Sequence, residues 1–133
     1  MKLAARSYRT FAQKKLIDNQ IFISNEQLLT LRYLVENKES NLSQVATNFK
    51  KDKAAITRIV SELEKRKLLQ KNEKKSDKRN FNLKVTEKGM SVVVKSIAVM
   101  MEIQQHGRRD ISDEEMIAFE KTLQKINKNL LIS

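Results

Sequence analysis

The sequence predicts a mainly α-helical fold that carries one small β-hairpin. The chain of 133 residues contains no proline and only two glycines, Gly89 and Gly107. Because a sheet of many strands needs frequent turn residues, this scarcity favours long helices. Apolar residues recur at steps of three and four along most of the chain, whereas they alternate with polar residues over 81–86. A chain of this length is expected to form one domain around a single core.

Four helices are predicted in the N-terminal half of the chain. Apolar spacing indicates the first within the first twenty residues. Two capping boxes then mark helix starts, one at Ser24 with Gln27 three residues later and one at Asn41 with Gln44. Asp52 is suited to cap the fourth helix, because its negative charge also matches the positive end of the helix dipole.

The fourth helix has one apolar face and an opposite face without acidic side chains. The apolar stripe has the spacing of a buried helix face and consists of Ile56, Ile59, Val60 and Leu63. The opposite face carries small, hydroxylated or basic side chains, namely Lys53, Ala54, Thr57, Arg58, Ser61 and Lys65. Such a face is typical of a helix that approaches a negatively charged surface.

A hairpin is predicted after the fourth helix. Residues 68–73 and 81–86 are predicted to form two short strands, and the second alternates apolar with polar side chains. The seven residues between them include four basic ones and no apolar one. We therefore expect a long charged tip over residues 74–80, and we call this hairpin the wing.

Two further helices are predicted at the C-terminal end. Thr86 is expected to cap the fifth, and Gly107 is expected to end it in a left-handed conformation. The middle of this helix, residues 92–103, is apolar on almost every side, so it must be covered on every side. One small domain covers only one flank, which implies a second subunit.

The sixth helix is predicted to open with a capping box at Ser112. An apolar seam follows at steps of three and four, formed by Met116, Phe119, Leu123, Ile126 and Leu130. Taken alone, the seam is also compatible with a helix bundle inside one chain. Together with the fifth helix, it favours a homodimer.

The order of these elements is that of a winged helix-turn-helix flanked by long dimerisation helices. A helix about 10 Å across fits the major groove of DNA, which is about 12 Å wide. Residues 50–79 contain twelve basic and five acidic residues, so they hold +7 of the total net charge of +11. A surplus that only aided solubility would be spread along the chain, whereas a concentrated one favours binding to phosphates with counterion release. Duplex DNA is therefore the predicted partner.

The residues predicted to contact DNA lie on the third and fourth helices and in the wing. They are Ser43, Lys53, Ala54, Thr57, Arg58, Ser61, Lys74, Lys75, Asp77, Lys78 and Arg79. The predicted function is a DNA-binding transcriptional regulator. The alternative is a winged-helix module that binds protein or RNA, which would expose apolar anchor residues on the outward face of the fourth helix.

Residues 42–89 resemble the core of the multiple-antibiotic-resistance regulator (MarR) family. The matching motifs are ITRIVSELEKR in the fourth helix, DKR in the wing and LKVTEKG before the fifth helix, and their order and spacing also match. The flanking helices suit the family plan, so the resemblance covers nearly the whole chain. It implies one domain over residues 1–133, with a DNA-binding lobe at 24–86 between two parts of a helical dimerisation region, 1–22 and 87–133.

The resemblance also implies a ligand-responsive repressor that binds a pseudo-palindromic operator as a homodimer. In this family the wing arginine enters the minor groove and the nearby aspartate helps to hold it, roles that fall to Arg79 and Asp77. Narrow minor grooves attract arginine electrostatically. The first helix joins the fifth and sixth in the implied dimer interface, which comprises Tyr8, Phe11, Met116, Phe119, Leu123, Ile126 and Leu130.

Many members of this family release DNA when a small aromatic acid binds between the dimer helices and the DNA-binding lobe. A small-molecule effector is therefore a further partner that the resemblance implies, and no residue in the sequence identifies it. The five methionines either fill the core or line an adaptable pocket. Two positions depart from the family pattern, since Lys67 replaces a usual glycine and Ser76 replaces a frequent proline. A left-handed lysine would cost about 1 kcal/mol unless the turn is built differently.

No catalytic, metal or cofactor site is predicted. The chain has no cysteine, a single histidine, His106, and no glycine-rich phosphate loop. His106 lies near the end of the fifth helix, where it is either an exposed or capping residue or a pH-responsive group. The sequence therefore predicts a protein that is not an enzyme and needs no cofactor.

A cytoplasmic location without membrane contact is also predicted. Basic residues are dispersed through the first twenty positions, which leaves no apolar segment of the kind that signal peptides contain. The longest nearly apolar run, residues 96–101, is too short to cross a bilayer.

Overall fold

Six helices and one antiparallel hairpin follow one another in the part of the chain that the structure, a computed structural model, describes. This part comprises residues 1–74 and 77–131, and the described side chains exclude those of residues 73–80. The elements are α1 (Lys2–Asp18), α2 (Asn25–Glu36), α3 (Leu42–Phe49), α4 (Lys53–Lys65), β1 (Leu69–Lys74), β2 (Asp77–Val85), α5 (Glu87–Gly107) and α6 (Asp113–Leu130). The predicted winged helix-turn-helix with long flanking helices is confirmed.

The predicted caps begin five of the six described helices. Ser24 and Gln27 form both hydrogen bonds of a capping box at α2, and Asn41 with Gln44 does the same at α3. The carboxylate of Asp52 accepts from the backbone N–H of Ala55 across 2.7 Å at α4. The hydroxyl oxygens of Thr86 and Ser112 accept from backbone N–H groups at α5 and α6.

The capping box of α6 also acts on an acidic side chain. The backbone N–H of Ser112 donates to Glu115 Oε2 across 2.8 Å. This hydrogen bond, with a smaller contribution from the Ser112 hydroxyl, lowers the pKa of the Glu115 carboxyl from its usual value. The charged form of Glu115 is therefore favoured at the positive end of α6.

A left-handed residue other than glycine follows five of the six described helices within three residues. Among the described residues these have φ between 51° and 65°, and they are Gln20, Glu39, Lys50, Lys67 and Asp110. Lys67 thus keeps the left-handed turn in which the family usually has glycine. The turn is closed by backbone hydrogen bonds from Lys67 N to Glu64 O, 2.8 Å, and from Leu68 N to Leu63 O, 3.0 Å.

The prediction that Gly107 ends α5 in a left-handed conformation is wrong. Gly107 is the last residue of the helix, neither glycine has a positive φ, and the cap is Arg108 at φ −94°. Backbone hydrogen bonds continue past the helix, from Arg108 N to Gln104 O and from Arg109 N to His106 O. The left-handed conformation after α5 occurs only at Asp110, so an aspartate adopts the conformation that was expected of Gly107.

The core lies where α2, α3 and α4 meet the base of the hairpin. The largest fully buried side chains in this region belong to Leu28, Leu31, Val45, Ile56, Val60, Leu63 and Leu83. A second buried layer joins α1 to α5 through Ala12, Leu16, Val99 and Ile103. Helix α6, by contrast, buries none of its residues within the described chain.

The hairpin extends further toward its tip than the sequence predicts. Leu69 lies opposite Val85 and Glu73 opposite Phe81, and after an irregularity Lys74 lies opposite Asp77. Strand β2 thus begins at Asp77 instead of Phe81, so the predicted charged tip over 74–80 is too long. Strand pairing uses backbone groups, and it continues here through polar residues that carry no alternating pattern.

Two contacts fix the base of the hairpin to the helices. Leu83 N donates to Ser40 O across 2.9 Å, which joins β2 to the segment before α3. Gly89 in α5 packs so closely on the turn after α4 that an added Cβ would lie 2.1 Å from the Leu68 carbonyl oxygen. The orientation of the hairpin is therefore set by backbone contacts on both sides.

Candidate nucleic-acid interface

Helix α4 presents the predicted contact face to solvent. Lys53, Ala54, Thr57 and Arg58 are exposed, and Ser61 is half-buried, while the apolar stripe on the other side of the helix is buried. Among the side chains that the structure describes, no carboxylate lies within salt-bridge distance of Lys53 or Arg58. Both positive charges are therefore available to an external anion.

The Thr57 hydroxyl is already engaged inside the helix. Its Oγ1 donates to the carbonyl oxygen of Lys53 across 2.7 Å. Because the single hydroxyl proton is used, Oγ1 faces outward as an acceptor. It can thus accept from the amino group of adenine or cytosine, and the threonine methyl group can contact a thymine methyl. The sequence indicated a polar contact residue but not this restriction on its chemistry.

Helix α3 places Ser43 on the same lobe as α4. Ser43 is exposed in the first turn of α3, and its carbonyl oxygen accepts from the Thr47 hydroxyl across 2.9 Å. The turn to α4 passes through Lys50 in the left-handed conformation, where Lys50 N donates to Thr47 O. This arrangement forms the turn of the predicted helix-turn-helix.

Three of the basic residues within 50–79 contact other groups of the protein. Lys51 forms an ion pair with Glu26 of α2, and Arg66 donates to the backbone oxygen of Phe22. Lys71 Nζ lies 3.5 Å from a Glu64 carboxylate oxygen and 4.8 Å from the centre of the Phe81 ring. Fewer charges therefore remain for phosphate than the count of twelve basic residues suggests.

The structure describes the predicted DNA-contacting residues of the wing, except Lys75, by their backbone. Lys74 ends β1 and lies opposite Asp77, which begins β2, and Lys78 and Arg79 follow within β2. Lys75 and Ser76 lie outside the described residues. The side chains of Lys74, Asp77, Lys78 and Arg79 are likewise outside the described set, so the expected contacts of the wing stay predictions.

The predicted dimer residues lie on α1 and α6 with much of their apolar surface uncovered. Phe119 is 55% exposed and Leu130 72% exposed. Tyr8 and Leu123 are also exposed, and Phe11, Met116 and Ile126 are half-buried. A cavity of about 1100 Å³ opens between α1, the end of α5 and the start of α6.

His106 lies in the wall of this cavity. Its ring stacks on Phe11 with the ring centres 4.5 Å apart, and its Nδ1 lies 3.5 Å from Nη2 of Arg109. The sequence predicted either an exposed or capping residue or a pH-responsive group; His106 is exposed, and its stacking on Phe11 was not visible in the sequence. The contact joins α1 to the last turn of α5.

Comparison with known proteins places the chain in a family. Residues 23–81 match the model of the MarR family. The HTH-type transcriptional regulator BilQ of Clostridioides difficile strain CD3 is 32% identical over 101 residues, which cover 76% of this chain and 68% of that protein. The chain belongs to the MarR family. The MarR family consists of transcriptional regulators and not of enzymes, as the sequence predicted.

Solved structures of MarR-family proteins confirm the fold. The structure of Staphylococcus aureus MepR in a DNA complex aligns with a TM-score of 0.88 at 24% identity, over 97% of this chain and 94% of that one. A MarR variant from E. coli complexed with operator DNA aligns with a TM-score of 0.85 at 17% identity, over 94% and 89%. No helix in the described part of this MarR-family chain is long and apolar enough to cross a membrane.

Proposed function

We propose that this protein is a sequence-specific DNA-binding repressor that acts as a homodimer on a pseudo-palindromic operator and responds to a small-molecule effector. The observation that carries the proposal is the solvent face of α4, where Lys53, Thr57 and Arg58 are exposed without a described acidic partner. DNA is the expected ligand because such a face combines phosphate-binding charges with a hydrogen-bonding group. As a regulator of transcription, the protein is expected to act in the cytoplasm.

Helix α4 would lie in the major groove. Arg58 extends from the exposed face and suits a bidentate contact to guanine or a phosphate contact, and Thr57 contributes an acceptor. Lys53 begins the helix, so its charge adds to the positive end of the helix dipole beside a phosphate. Ser43, Ala54 and Ser61 would complete the contact face.

The wing would contact the DNA backbone and the minor groove beside the same half-site. In this proposal Arg79 enters the minor groove with support from Asp77, and Lys74, Lys75 and Lys78 neutralise phosphates. The fixed base of the hairpin supports this role, because Leu83 N is bonded to Ser40 O and α5 packs on the turn after α4.

A second copy of the chain would cover α6 and the exposed flank of α5. Val94, Ile97 and Met101 on α5 are each at least 50% exposed, and Ile117 and Phe119 on α6 are exposed to a similar extent. Uncovered apolar surface on this scale is typical of a subunit interface. In a symmetric dimer, the two α4 helices would reach half-sites about one helical turn, roughly 34 Å, apart.

A specific observation weighs against the alternative of a protein-binding module. Among the described residues, no large hydrophobic side chain of α4 is exposed. Protein-binding surfaces depend on apolar or aromatic anchor residues that fill pockets on the partner. A face of lysine, arginine, threonine and alanine suits a groove lined with phosphates better.

The test is selection of duplexes from a random-sequence pool by the purified full chain, followed by mobility shifts at two salt concentrations. We expect the selected duplexes to share two related half-sites. We also expect affinity to fall with salt at a slope that corresponds to several phosphates per subunit. A pool without a common sequence, or an affinity that does not change with salt, would contradict the proposal.

A further inference from the structure

The turn that ends α4 is bonded to the residues that begin α5. Three consecutive carbonyl oxygens of this turn accept hydrogen bonds from Thr86 and Lys88. Arg66 O accepts from Lys88 Nζ across 3.1 Å. Lys67 O accepts from Thr86 Oγ1 across 2.7 Å, and Leu68 O accepts from Thr86 N across 3.2 Å. We call residues 66–68 together with Thr86 and Lys88 the α4–α5 junction.

The hydroxyl group of Thr86 serves both helices at this junction. Its single proton is donated to Lys67 O, and its oxygen accepts from Gly89 N across 3.0 Å in the cap of α5. Lys67 is left-handed and lies beyond α4, so its carbonyl group is outside the hydrogen-bond pattern of that helix. Because a backbone carbonyl needs a partner, Thr86 supplies one from another element. One side chain thus connects the end of α4 to the start of α5.

The same turn is held from two further directions. The guanidinium group of Arg66 donates to the backbone oxygen of Phe22, which lies between α1 and α2. Gly89 packs against the Leu68 carbonyl group without space for a Cβ. The end of α4 is therefore attached to both parts of the proposed dimerisation region, residues 1–22 and 87–133.

We propose that Thr86 and Lys88 are positioning residues that determine which half-site spacing the protein accepts. This inference rests on the proposed function, in which α5 forms part of the dimer interface and α4 contacts DNA. The angle between these two helices then determines where each α4 lies along the duplex.

The length of α4 makes this angle important for DNA binding. At about 1.5 Å per residue, Thr57 lies about 15 Å along the helix axis from Lys67. A tilt of about 10° at the α4–α5 junction would therefore move Thr57 by about 2–3 Å, close to the rise of one base pair, about 3.4 Å. Hydrogen bonds that prevent such a tilt would make the dimer selective for one spacing.

Two substitutions of Thr86 isolate the hydrogen bond to Lys67. Thr86→Ser keeps a hydroxyl group, which can donate to Lys67 O and accept from Gly89 N. Thr86→Asp can accept from Gly89 N but has no proton to donate. Serine and aspartate are both preferred caps, so α5 should begin equally well in the two variants. Both also lack the methyl group of threonine.

Mobility shifts with duplexes of different half-site spacing give the measurement. One duplex carries the two selected half-sites at the selected spacing, and two others have one base pair inserted or removed between them. For the unchanged chain and Thr86→Ser, each changed spacing should weaken binding about tenfold or more. In Thr86→Asp this ratio should be smaller by about threefold or more, as expected for the loss of one hydrogen bond. The added negative charge weakens binding at every spacing alike and leaves the ratio unchanged.

Lys88→Met provides a second variant, in which α5 keeps its cap. It removes the ammonium group that donates to Arg66 O and retains a long, unbranched side chain. Its spacing ratio should lie between those of Thr86→Ser and Thr86→Asp. Lys121→Met is the matched control, because Lys121 is exposed on α6 outside the junction, and it should keep the ratio of the unchanged chain.

The outcomes distinguish this inference from the proposed function. Absence of duplex binding by the unchanged chain would overturn both. Duplex binding with the same spacing ratio in Thr86→Ser and Thr86→Asp would overturn the positioning role and leave the proposed function intact. If Thr86→Asp does not fold, the comparison of Lys88→Met with Lys121→Met decides, and equal ratios in these two variants would overturn the positioning role.

Discussion

The carboxamide of Gln27 joins the start of α2 to the last turn of α4. Its Nε2 donates to Glu62 Oε2 across 2.6 Å, while its Oε1 accepts from Ser24 N in the capping box. Gln27 is only 8% exposed, whereas Glu62 is exposed, so both hydrogen bonds are partly buried. One side chain thus both caps α2 and holds the helix that carries the proposed DNA-contacting face.

Exchanging the side chains of Gln27 and Glu62 tests whether their hydrogen bond positions α4. Gln27→Glu places a carboxylate beside Glu62, and the loss of a partly buried hydrogen bond together with charge repulsion should cost about 1–3 kcal/mol of the free energy of unfolding. Adding Glu62→Gln should restore most of that loss, because glutamate at 27 still caps α2 and glutamine at 62 donates the bond. Urea unfolding and DNA affinity of both variants give the measurement. If the double variant were as unstable as Gln27→Glu, the hydrogen bond would not position α4.

The two glycines should respond in opposite ways to alanine. Gly89→Ala should lower the free energy of unfolding by about 1–3 kcal/mol or more, since the new Cβ overlaps the Leu68 carbonyl oxygen. Gly107→Ala should raise it by about 0.5–1 kcal/mol, because the helix has open space there and a negative φ. Thermal unfolding of both variants provides the comparison. A stable Gly89→Ala variant would contradict the close packing of α5 on the turn after α4.

The left-handed turn at Lys67 should favour glycine. Lys67→Gly should be more stable than Lys67→Ala by a few tenths to about 1 kcal/mol, because alanine keeps the left-handed strain while glycine removes it. Both variants lose the lysine side chain, so the comparison isolates the backbone. Equal unfolding midpoints in urea would mean that Lys67 is not strained.

These elements show how far the sequence predicts this structure. Helix starts were predictable because caps at Ser24, Asn41 and Asp52 are local chemistry between residues three apart. The start of β2 was not predictable, because it depends on backbone pairing with β1 and not on a pattern of side chains. The predicted DNA-contacting and dimer residues came from helix faces and family resemblance, and they stay predictions.

Tertiary polar contacts were the least predictable part of the candidate site. The sequence counts Lys51 among the charges available to DNA, whereas the fold brings Glu26 to it from 25 positions away. Nothing in the local sequence of Gln27 indicates its second partner, Glu62. Such contacts follow from how the helices pack, which the apolar periodicity fixes only approximately.

A charge introduced into the apolar seam of α6 should dissociate the proposed dimer. Phe119→Asp places a carboxylate in the proposed interface, whose desolvation opposes association. Sedimentation at micromolar concentration should show one chain per particle, compared with two for the unchanged protein. Lys121→Asp, an exposed α6 residue outside the seam, should remain a dimer. Dissociation of both variants, or of neither, would contradict the proposed seam.

The most direct test of the central claim is the affinity of Arg58→Ala for the selected duplex. The loss of one base or phosphate contact should weaken binding by about 1–3 kcal/mol, and a base contact would also relax the sequence preference. Lys14→Ala is the control, because Lys14 is exposed on α1 and forms only a surface ion pair with Asp18. If α4 lies in the major groove, Arg58→Ala lowers the affinity for the duplex and Lys14→Ala does not. Neither substitution should change the unfolding midpoint. Equal affinity of the two folded variants would contradict the placement of α4 on DNA.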